Sequence, residues 1–314
     1  MKILVTGCAG FIGSHLSQTL LCRGDKILGI DNLNDYYEVN KKLGNLHILK
    51  QYENFNFIKD DIETTTVIND FKPELICHLA SMAGVRYSIE NPKKYVKSNI
   101  EGFVNIMEQA RKADVKSVIY ASSSSVYGLN KTVPFSESDP IEMCNSPYAC
   151  SKYSMEVFGK MYYQLYKQKN IGLRFFTVYG PRGRPDMAPF KFLKAIHKGE
   201  KFYKYGDGTS SRDYTYIDDI VSGIIGAIDN HENIDCEIYN LGNSYPISLN
   251  DFISKCERTV GKTGNYEVLP NQDGDVPHTY ANITKAKLDL NYNPKTTLEE
   301  GLKKTYDWLK ITNN

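Results

Sequence analysis

The chain opens on Met1-Lys2-Ile3-Leu4-Val5-Thr6-Gly7-Cys8-Ala9-Gly10-Phe11-Ile12-Gly13, a short apolar run followed by three glycines in the pattern Gly-x-x-Gly-x-x-Gly. Leucines at helical spacing follow in Ser14–Arg23. A strand, a glycine turn and a helix in this order favour phosphate binding, because glycine permits a tight turn and a helix N-terminus offers free N–H groups. The residues predicted to contact the pyrophosphate of a dinucleotide are Gly7, Gly10, Phe11, Ile12 and Gly13.

The alternation of apolar runs and helical patterns continues beyond this loop. Val96–Lys112 has the spacing of a long amphipathic helix. Strands that alternate with helices form βαβ units, whose right-handed crossovers give a parallel sheet covered on both faces. We therefore predict an α/β fold with a Rossmann-type doubly wound parallel sheet. Its further strands are predicted at Lys26–Ile30, Asn56–Ile58, Glu74–Leu79, Ser117–Ser122 and Gly172–Val178.

The regular pattern stops after Tyr179, where prolines and glycines become frequent up to residue 213. A strand-then-helix pattern resumes at Thr215–Ile228. This change predicts a dinucleotide-binding domain of residues 1–180, to which residues 214–236 return. A smaller mixed α/β substrate-binding cap is predicted from residues 181–213 and 237–314, and a cleft between two such parts is the usual place for a ligand.

Composition and charge exclude several classes of protein. The 314 residues carry 38 Lys and Arg against 37 Asp and Glu, a net charge of +1, so no overall field attracts nucleic acid or an anionic membrane. No apolar run reaches the length of a membrane span. The seven cysteines are odd in number and form no Cys-x-x-Cys, which argues against a disulfide framework or a metal site. We expect reduced thiols and a cytoplasmic protein.

An acid ends the second predicted strand. Asp31 follows Gly13 by 18 residues, the position at which a carboxylate accepts both hydroxyls of the adenosine ribose. Such an acid repels a 2′-phosphate, so NAD is preferred over NADP. Asn32 adjoins it, and Asp61 and Ile62, after the third strand, are predicted to lie near the adenine, although an ordinary loop is the alternative.

A second group of polar residues predicts acid–base chemistry. The fifth strand ends in the serine run 122–125, and Ser146-Pro147-Tyr148 begins a helix in which Tyr148 and Lys152 lie one turn apart. An ammonium beside a phenol favours the phenolate, so we expect Lys152 to lower the pKa of Tyr148 toward neutrality. A tyrosinate can take a proton from a sugar hydroxyl.

With these motifs the chain resembles the extended short-chain dehydrogenase/reductase superfamily, and within it the NAD-dependent nucleotide-sugar epimerases and dehydratases. The resemblance rests on the glycine loop, His78-Leu79-Ala80, the serine strand, Tyr148 with Lys152, and residues 212–219. It implies that a Ser or Thr, the Tyr and the Lys act on the C4 hydroxyl of a sugar. The catalytic hydroxyl then falls on Ser123, with Ser124 and Ser125 as open alternatives. It further assigns NAD contacts to Leu79, Ala80, Ala83, Asn99, Tyr148, Lys152 and Val178.

Three stretches look like the UDP-glucuronate 4-epimerase branch, namely residues 83–88, 174–187 and 274–281. The resemblance implies a UDP-sugar substrate, UDP-glucuronate, and a homodimer formed through Val96–Lys112 and Tyr148–Tyr166. Guanidinium groups suit a diphosphate or a uronate carboxylate. Lys191 is included among the predicted substrate contacts, although it could be an ordinary surface charge. These contacts are Arg86, Ser88, Ser123, Ser124, Ser125, Thr177, Arg184, Met187, Lys191, Tyr205, Arg212 and Asp275.

Several alternatives remain at this point. Related dehydratases carry an Asp-Glu pair before the Val-Tyr-Gly, and related decarboxylases carry a Glu there, whereas this chain has Ser124-Ser125 before Val126. Elimination of water needs such an acid and base, so the dehydratase alternative loses its groups. An epimerase of UDP-glucose or UDP-N-acetylglucosamine, a nucleotide-sugar oxidoreductase or decarboxylase, and a non-catalytic NAD-binding protein remain open.

Overall fold

The computed structural model describes residues 1–270 and 276–312. The strands in this part of the chain are β1 Lys2–Thr6, β2 Lys26–Asp31, β3 Phe55–Lys59, β4 Leu75–His78, β5 Ser117–Ser123, β6 Lys169–Phe175, β7 Thr177–Tyr179, β8 Lys201–Tyr205, β9 Ser211–Tyr216, β10 Cys236–Leu241, β11 Pro246–Ser248, β12 Asn265–Leu269 and β13 His278–Thr279. Seven of them form a parallel sheet in the order β10-β6-β5-β4-β1-β2-β3.

Helices connect the strands and cover the sheet. They are α1 Phe11–Arg23, α2 Val39–Leu49, α3 Val67–Phe71, α4 Val85–Glu90, α5 Pro92–Tyr95, α6 Gly102–Lys112, α7 Pro147–Tyr166, α8 Ala188–Lys198, α9 Ile217–Asp229, α10 Leu249–Val260, α11 Thr284–Leu290 and α12 Leu298–Thr312. A π-helical turn spans Val96–Glu101 and a 3-10 turn spans Ser124–Tyr127. None of the described helices is long and apolar enough to cross a membrane.

The predicted Rossmann-type sheet is confirmed, and its strand order explains where a ligand can enter. Strands β1 and β4 are neighbours, but the chain leaves β1 toward β2 on one side and reaches β4 only after β3. The connections above β1 and β4 therefore run in opposite directions. In open parallel sheets, this switch point leaves a crevice at the carboxyl ends of the strands.

Apolar packing on both faces holds the sheet. Ile3, Leu4 and Val5 of β1 are fully buried, which is why the strand is a continuous apolar run rather than an alternating one. Phe103 of α6 and Met155 of α7 pack on one face, while helices α1 and α9 pack on the other. Each fully buried side chain of this kind contributes about 1.5–3 kcal/mol.

A smaller set of strands lies beyond the large sheet. Strand β9 pairs with β7, β11 and β13, and β8 pairs with β12. Strand β10 pairs with β6 along its full length, so the return to the large sheet extends past residue 236 to Leu241. Apart from that strand, the division into a dinucleotide-binding domain and a cap stays a prediction.

The single strand predicted at Gly172–Val178 is two strands in two sheets. Strand β6 ends at Phe175 in the large sheet, and β7 pairs with Tyr214–Tyr216. The amide of Phe176 still donates to the carbonyl of Leu241 at 3.1 Å, an ordinary hydrogen-bond distance. Both strands are buried, so the apolar run continues across the change of sheet and hides it.

The predicted helix Val96–Lys112 begins with a π-helical turn. Asn99 lies in that turn and is fully buried, and its amide donates to the carbonyl of Met82 and to Ser151 Oγ, both at 2.9 Å. Its carbonyl oxygen accepts from the Met82 amide at 2.7 Å. These bonds fix the loop after β4, and a regular helical spacing pattern carries no sign of them.

The glycine loop generates the first prediction. A Cβ on Gly13 would overlap the carbonyl oxygen of Gly7, so α1 could no longer begin against the turn. We expect Gly13→Ala to lower the free energy of unfolding by roughly 2–3 kcal/mol. Gly44→Ala is the matched control, because Gly44 is exposed in α2 and a Cβ there meets nothing nearby. This substitution should raise the free energy of unfolding by about 1 kcal/mol. Urea denaturation checks both, and equal effects would contradict the steric account.

Candidate active site

The loop between β1 and α1 is built as a phosphate-binding turn. Gly7 has a φ of 71°, its amide donates to Ile30 at 2.7 Å, and its carbonyl accepts from Gly10 at 3.0 Å. Its backbone passes so close to the loop after β4 that a Cβ on Gly7 would lie 2.7 Å from the Ala80 nitrogen. Helix α1 then starts at Phe11 with its N-terminal amides at the crevice. This geometry suits an anionic group at the helix start.

Asp31 ends β2 beside that loop. Its carboxylate accepts from the amides of Leu33 at 2.9 Å and Ala9 at 3.2 Å. Burial raises the pKa of Asp31, and the Lys42 ammonium and the two amides oppose that rise. The carboxylate therefore lies at the strand end with its charge partly balanced, in the place where a ribose would meet it.

A cavity of about 370 Å³ runs from this loop across the ends of β1, β4, β5 and β7. It brings together most of the residues predicted for cofactor and substrate. Those lining it are Gly7, Gly10, Phe11, Ile12, Gly13, Asp31, Asn32, Ile62, Leu79, Ala80, Ala83, Ser123, Ser124, Ser125, Tyr148, Lys152, Thr177, Val178, Arg184 and Met187.

The predicted acid–base residues meet in this cavity at the end of β5. Helix α7 begins as predicted, with Ser146 Oγ accepting from the Ala149 amide at 3.2 Å and Pro147 in the first turn. The side chain of Lys152 runs under β5 and donates to the carbonyl of Ala121 at 2.7 Å. The hydroxyl of Ser123 lies beside the phenol of Tyr148 and opposes the rise in its pKa. Strand end and helix start thus place a hydroxyl, a phenol and an ammonium around one point.

The expected effect of Lys152 on Tyr148 is wrong. Burial raises the pKa of Tyr148, and the groups that oppose this rise are the Ser123 hydroxyl and the Arg184 guanidinium. Lys152 is itself almost fully buried, and loss of water lowers its pKa to about 7. A lysine that readily loses its own proton is a weak source of positive charge, which is why the spacing argument failed.

Buried polar groups fix the ends of β4 and β5. His78 is fully buried and its Nδ1 lies 2.9 Å from Thr6 Oγ1. Burial and the Lys152 charge lower the pKa of His78 to about 3, so it is neutral. Ser122 donates to Glu156 at 2.5 Å, and Glu156 accepts two bonds from Arg174 at 2.9 and 2.7 Å. The serine next to Ser123 is therefore a structural link between β5, α7 and β6.

Arg184 reaches the cavity with a partner of its own. Its Nε donates to Asp186 Oδ1 at 3.0 Å, and its Nη2 donates to Asp186 Oδ2 and, at 3.4 Å, to the Tyr36 hydroxyl. The Tyr36 hydroxyl donates to Asp186 Oδ2 at 3.2 Å. The bidentate acceptor of this guanidinium is thus the protein's own carboxylate.

Other predicted residues lie outside the cavity wall. Ser88 is buried and donates to Val85 at 2.5 Å, and the exposed Asp61 accepts from Asn32 at 2.5 Å. Asn99 acts through Met82, as described above. Four more described residues do not line the cavity: Arg86 and Tyr205, with the Arg86 guanidinium 5.3 Å from the Tyr205 ring, Lys191, which is exposed on α8, and Arg212, which donates to Ser211 at 2.9 Å. Asp275 lies outside the described residues.

Sequence reasoning missed the loop after β2. Asn34, Tyr36, Tyr37 and Lys42 line the cavity, and the Lys42 ammonium donates to the Asn34 carbonyl at 2.8 Å and to its side-chain oxygen at 2.9 Å. The sequence signal is Asn32-Leu33-Asn34-Asp35-Tyr36-Tyr37, a run of polar and aromatic residues directly after Asp31.

The residues present fit a bound NAD. Gly7 and Gly13 leave no room for a side chain in the turn, the α1 N-terminus offers amides, and Asp31 supplies acceptors at the next strand end. Ile62 and Leu79 add apolar surface in the same cavity. These features match the needs of a pyrophosphate, a ribose and an adenine in that order.

Comparisons with known proteins agree with this geometry. The family model described as GDP-mannose 4,6 dehydratase matches residues 4–305. A UDP-glucuronate 4-epimerase of Thermodesulfobacterium geofontis is 43% identical over 98% of this chain and 95% of that protein. The structure of UDP-glucuronic acid 4-epimerase from Bacillus cereus with UDP-glucuronic acid and NAD has a TM-score of 0.94 at 36% identity, covering 99% and 100% of the two chains.

A second structure is nearly as similar. The UDP-glucose 4-epimerase of Thermotoga maritima with UDP-glucose has a TM-score of 0.90 at 33% identity, with both chains fully covered (100% each). The overall geometry is therefore shared by proteins that act on charged and on neutral sugars.

The buried lysine generates a prediction on stability. The pKa of Lys152 falls from 10.5 to about 7 on folding, so between these values the unfolded chain holds a proton that the folded chain has lost. The free energy of unfolding must then rise with pH across that window. Between about pH 6 and about pH 10, we expect the free energy of unfolding of the wild type to rise by about 2–4 kcal/mol more than that of Lys152→Met.

Urea denaturation of cofactor-stripped protein at several pH values measures this difference. Lys160→Met is the matched control, because Lys160 is exposed on the same helix. The stability of this variant should depend on pH in the same way as that of the wild type. Parallel curves for the wild type and Lys152→Met would contradict the assigned shift.

Proposed function

The chain belongs to the extended short-chain dehydrogenase/reductase superfamily and to its GDP-mannose 4,6 dehydratase family, and on this premise we propose that it is an NAD-dependent UDP-sugar 4-epimerase that converts UDP-glucuronate to UDP-galacturonate. Relatives and structural neighbours named for this reaction cover nearly its whole length. The proposal is one of isomerisation, with no net oxidation or reduction.

One observation carries the proposal. Ser123, Tyr148 and Lys152 line the same cavity as the glycine loop and Asp31. A proton acceptor for a sugar hydroxyl therefore lies in the same cleft as the residues suited to a dinucleotide. This juxtaposition is what oxidation of a secondary alcohol at C4 requires.

Tyr148 is the general base in this proposal. Its phenolate form takes the proton of the C4 hydroxyl and becomes the phenol, and the neighbouring Ser123 hydroxyl, which favours the phenolate, orients that transfer. Bound NAD⁺ supplies a hydride acceptor and donor at C4. The 4-keto sugar turns over in the cleft, and the phenol of Tyr148 returns its proton to the oxygen on the new face. Lys152, anchored to Ala121, fixes α7 so that the phenol stays at this point.

The residues around the base favour epimerisation over elimination. Ser124 and Ser125 occupy the positions before Val126 at which related dehydratases carry acids, and both line the cavity. Hydroxyl groups there can donate to a carboxylate but cannot act as the strong acid and base that loss of water needs. Thr177 adds a third hydroxyl to the same wall.

The substrate imposes a further demand. Oxidation at C4 of a glucuronate gives a β-keto acid, which readily loses CO₂ when its carboxylate leaves the polar surroundings that stabilise its charge. Donors from Ser124, Ser125 and Thr177 can hold that charge in place. We propose that these hydroxyls hold the carboxylate in the cleft.

A neutral sugar is the second candidate substrate, and one observation favours it. Because Asp186 already neutralises Arg184, the cavity does not carry an uncompensated guanidinium that demands an anion. The resemblance to a UDP-glucose 4-epimerase at 33% identity is consistent with that alternative.

We also propose that the protein is a cytoplasmic homodimer. Apolar side chains stay exposed on the helices predicted to pair, with Val96 55%, Val157 50% and Leu165 62% exposed. All the cysteines are free thiols, as in a reducing compartment. Sedimentation equilibrium should give twice the mass of one chain, and Val157→Asp should give a single chain by placing a charge in the contact. A monomeric wild type would contradict the dimer.

A panel of UDP-sugars tests the function. The wild type should interconvert UDP-glucuronate and UDP-galacturonate with a kcat/KM at least about 100-fold above that for UDP-glucose, because polar groups left unpaired by a neutral sugar cost free energy. Tyr148→Phe should lower kcat by about 1,000-fold, since it removes the base and keeps the ring.

Chromatography of the products measures both. Preference for UDP-glucose or UDP-N-acetylglucosamine would overturn the uronate assignment but not the proposed epimerase activity. Normal turnover by Tyr148→Phe would overturn the role of Tyr148 as the general base.

A further inference from the structure

A guanidinium has two edges that can each hold a carboxylate, the side-on edge of Nε and Nη2 and the end-on edge of the two Nη atoms. In Arg184 the side-on edge is filled by both oxygens of Asp186. Nη2 also donates to the Tyr36 hydroxyl. Among the described residues Nη1 has no hydrogen-bond partner, so it is the nitrogen left for a substrate.

Backbone and aromatic contacts hold the cluster formed by Arg184, Asp186 and Tyr36. The Tyr36 hydroxyl lies where a Cβ on Gly84 would be only 2.5 Å away, and Gly84 has a φ of 99°, so this close approach depends on glycine. The Tyr36 ring packs edge-on against Tyr87 at 5.1 Å, and the Tyr95 hydroxyl donates to the Gly84 carbonyl at 2.8 Å. Tyr36 is therefore held in place independently of any ligand.

The same cluster faces the catalytic base. Arg184 and Tyr148 line one cavity and each influences the pKa of the other. The Arg184 side chain is 18% exposed and the Asp186 side chain 37%, so the carboxylate lies on the outer side of the pair. A sugar whose C4 lies at Tyr148 would bring its C5 carboxylate to Arg184 from the cavity, on the side opposite to Asp186.

We propose that Asp186 and Tyr36 are positioning residues that hold the side-on edge of Arg184 away from the substrate, so that a sugar carboxylate meets this guanidinium at one point. The inference rests on the proposed epimerisation of a uronate. In that reaction the ring must turn over after the first oxidation, and a two-point clamp on its carboxylate would have to break each time. A single contact, shared with the hydroxyls of Ser124, Ser125 and Thr177, holds the charge and lets the ring move.

Asp186→Asn tests the proposal because the amide keeps only one acceptor oxygen and so releases one nitrogen of the side-on edge for the substrate. In a Tyr148→Phe background, which does not turn over, UDP-glucuronate should bind about tenfold more tightly, the gain expected of one additional charge-assisted hydrogen bond. With Tyr148 present, kcat for UDP-glucuronate should fall about tenfold, and rapid quenching should recover more of the bound sugar as the 4-keto form or the ketone left after it loses CO₂. Binding of UDP-glucose should change by less than about twofold, because it has no carboxylate.

Matched variants separate positioning from loss of structure. Asp186→Glu keeps a carboxylate for Nε and Nη2 of Arg184 and should restore kcat toward the wild-type value. Tyr36→Phe keeps the ring packing, removes one hydrogen bond to Asp186 and should give the same changes on a smaller scale, which also serves if Asp186→Asn folds poorly. Asp307→Asn removes a carboxylate from an exposed pair with Lys310 far from the cavity and should change none of these quantities.

Three results would overturn the inference. These are weaker binding of UDP-glucuronate by Asp186→Asn, equal tightening toward UDP-glucose, and an unchanged kcat with no excess 4-keto sugar. If the wild type converts UDP-glucuronate and any of these is seen, only the positioning role fails. If the wild type converts no UDP-glucuronate, the proposed function fails and the inference with it.

Discussion

The ammonium of Lys152 lies 2.7 Å from the carbonyl oxygen of Ala121, at a position that is 1% exposed. Burying a titratable group so completely costs free energy, and the lowered pKa of Lys152, about 7, reflects that cost. The bond fastens the first turns of α7 to the end of β5. It thereby fixes the distance between a strand that carries Ser123 and a helix that carries Tyr148, and the cleft is organised around that distance.

The rest of the site divides into rigid and adaptable parts. Tyr148, the proposed base, lies on the helix that Lys152 anchors to β5, and its ring meets the Tyr95 ring edge-on with the centroids 6.1 Å apart. The wall that faces the sugar is made of short hydroxyl side chains and of a guanidinium whose stronger contacts go to Asp186. A reaction in which the base must not move and the sugar must turn over is well served by this contrast.

Local patterns predicted much of this. The Gly-x-x-Gly-x-x-Gly turn, the acid at Asp31 and the Ser146-Pro147 helix start depend on neighbours in the chain, and the structure has each of them. What failed depends on contacts between distant residues. The π-helical turn around Asn99 exists because its amide reaches Met82 and Ser151, and the pKa of Tyr148 is set by burial and by Arg184, 36 positions further along the chain. The roles of the individual site residues stay predictions.

The central claim is that the hydrogen on C4 leaves the sugar and returns to the same carbon without escaping from the cleft. UDP-glucuronate with deuterium at C4, incubated with the wild type in ordinary water, measures this directly by mass spectrometry and proton magnetic resonance of the product. The account predicts UDP-galacturonate that retains the deuterium at C4. Product with ordinary hydrogen at C4, or deuterium released into water, would contradict it.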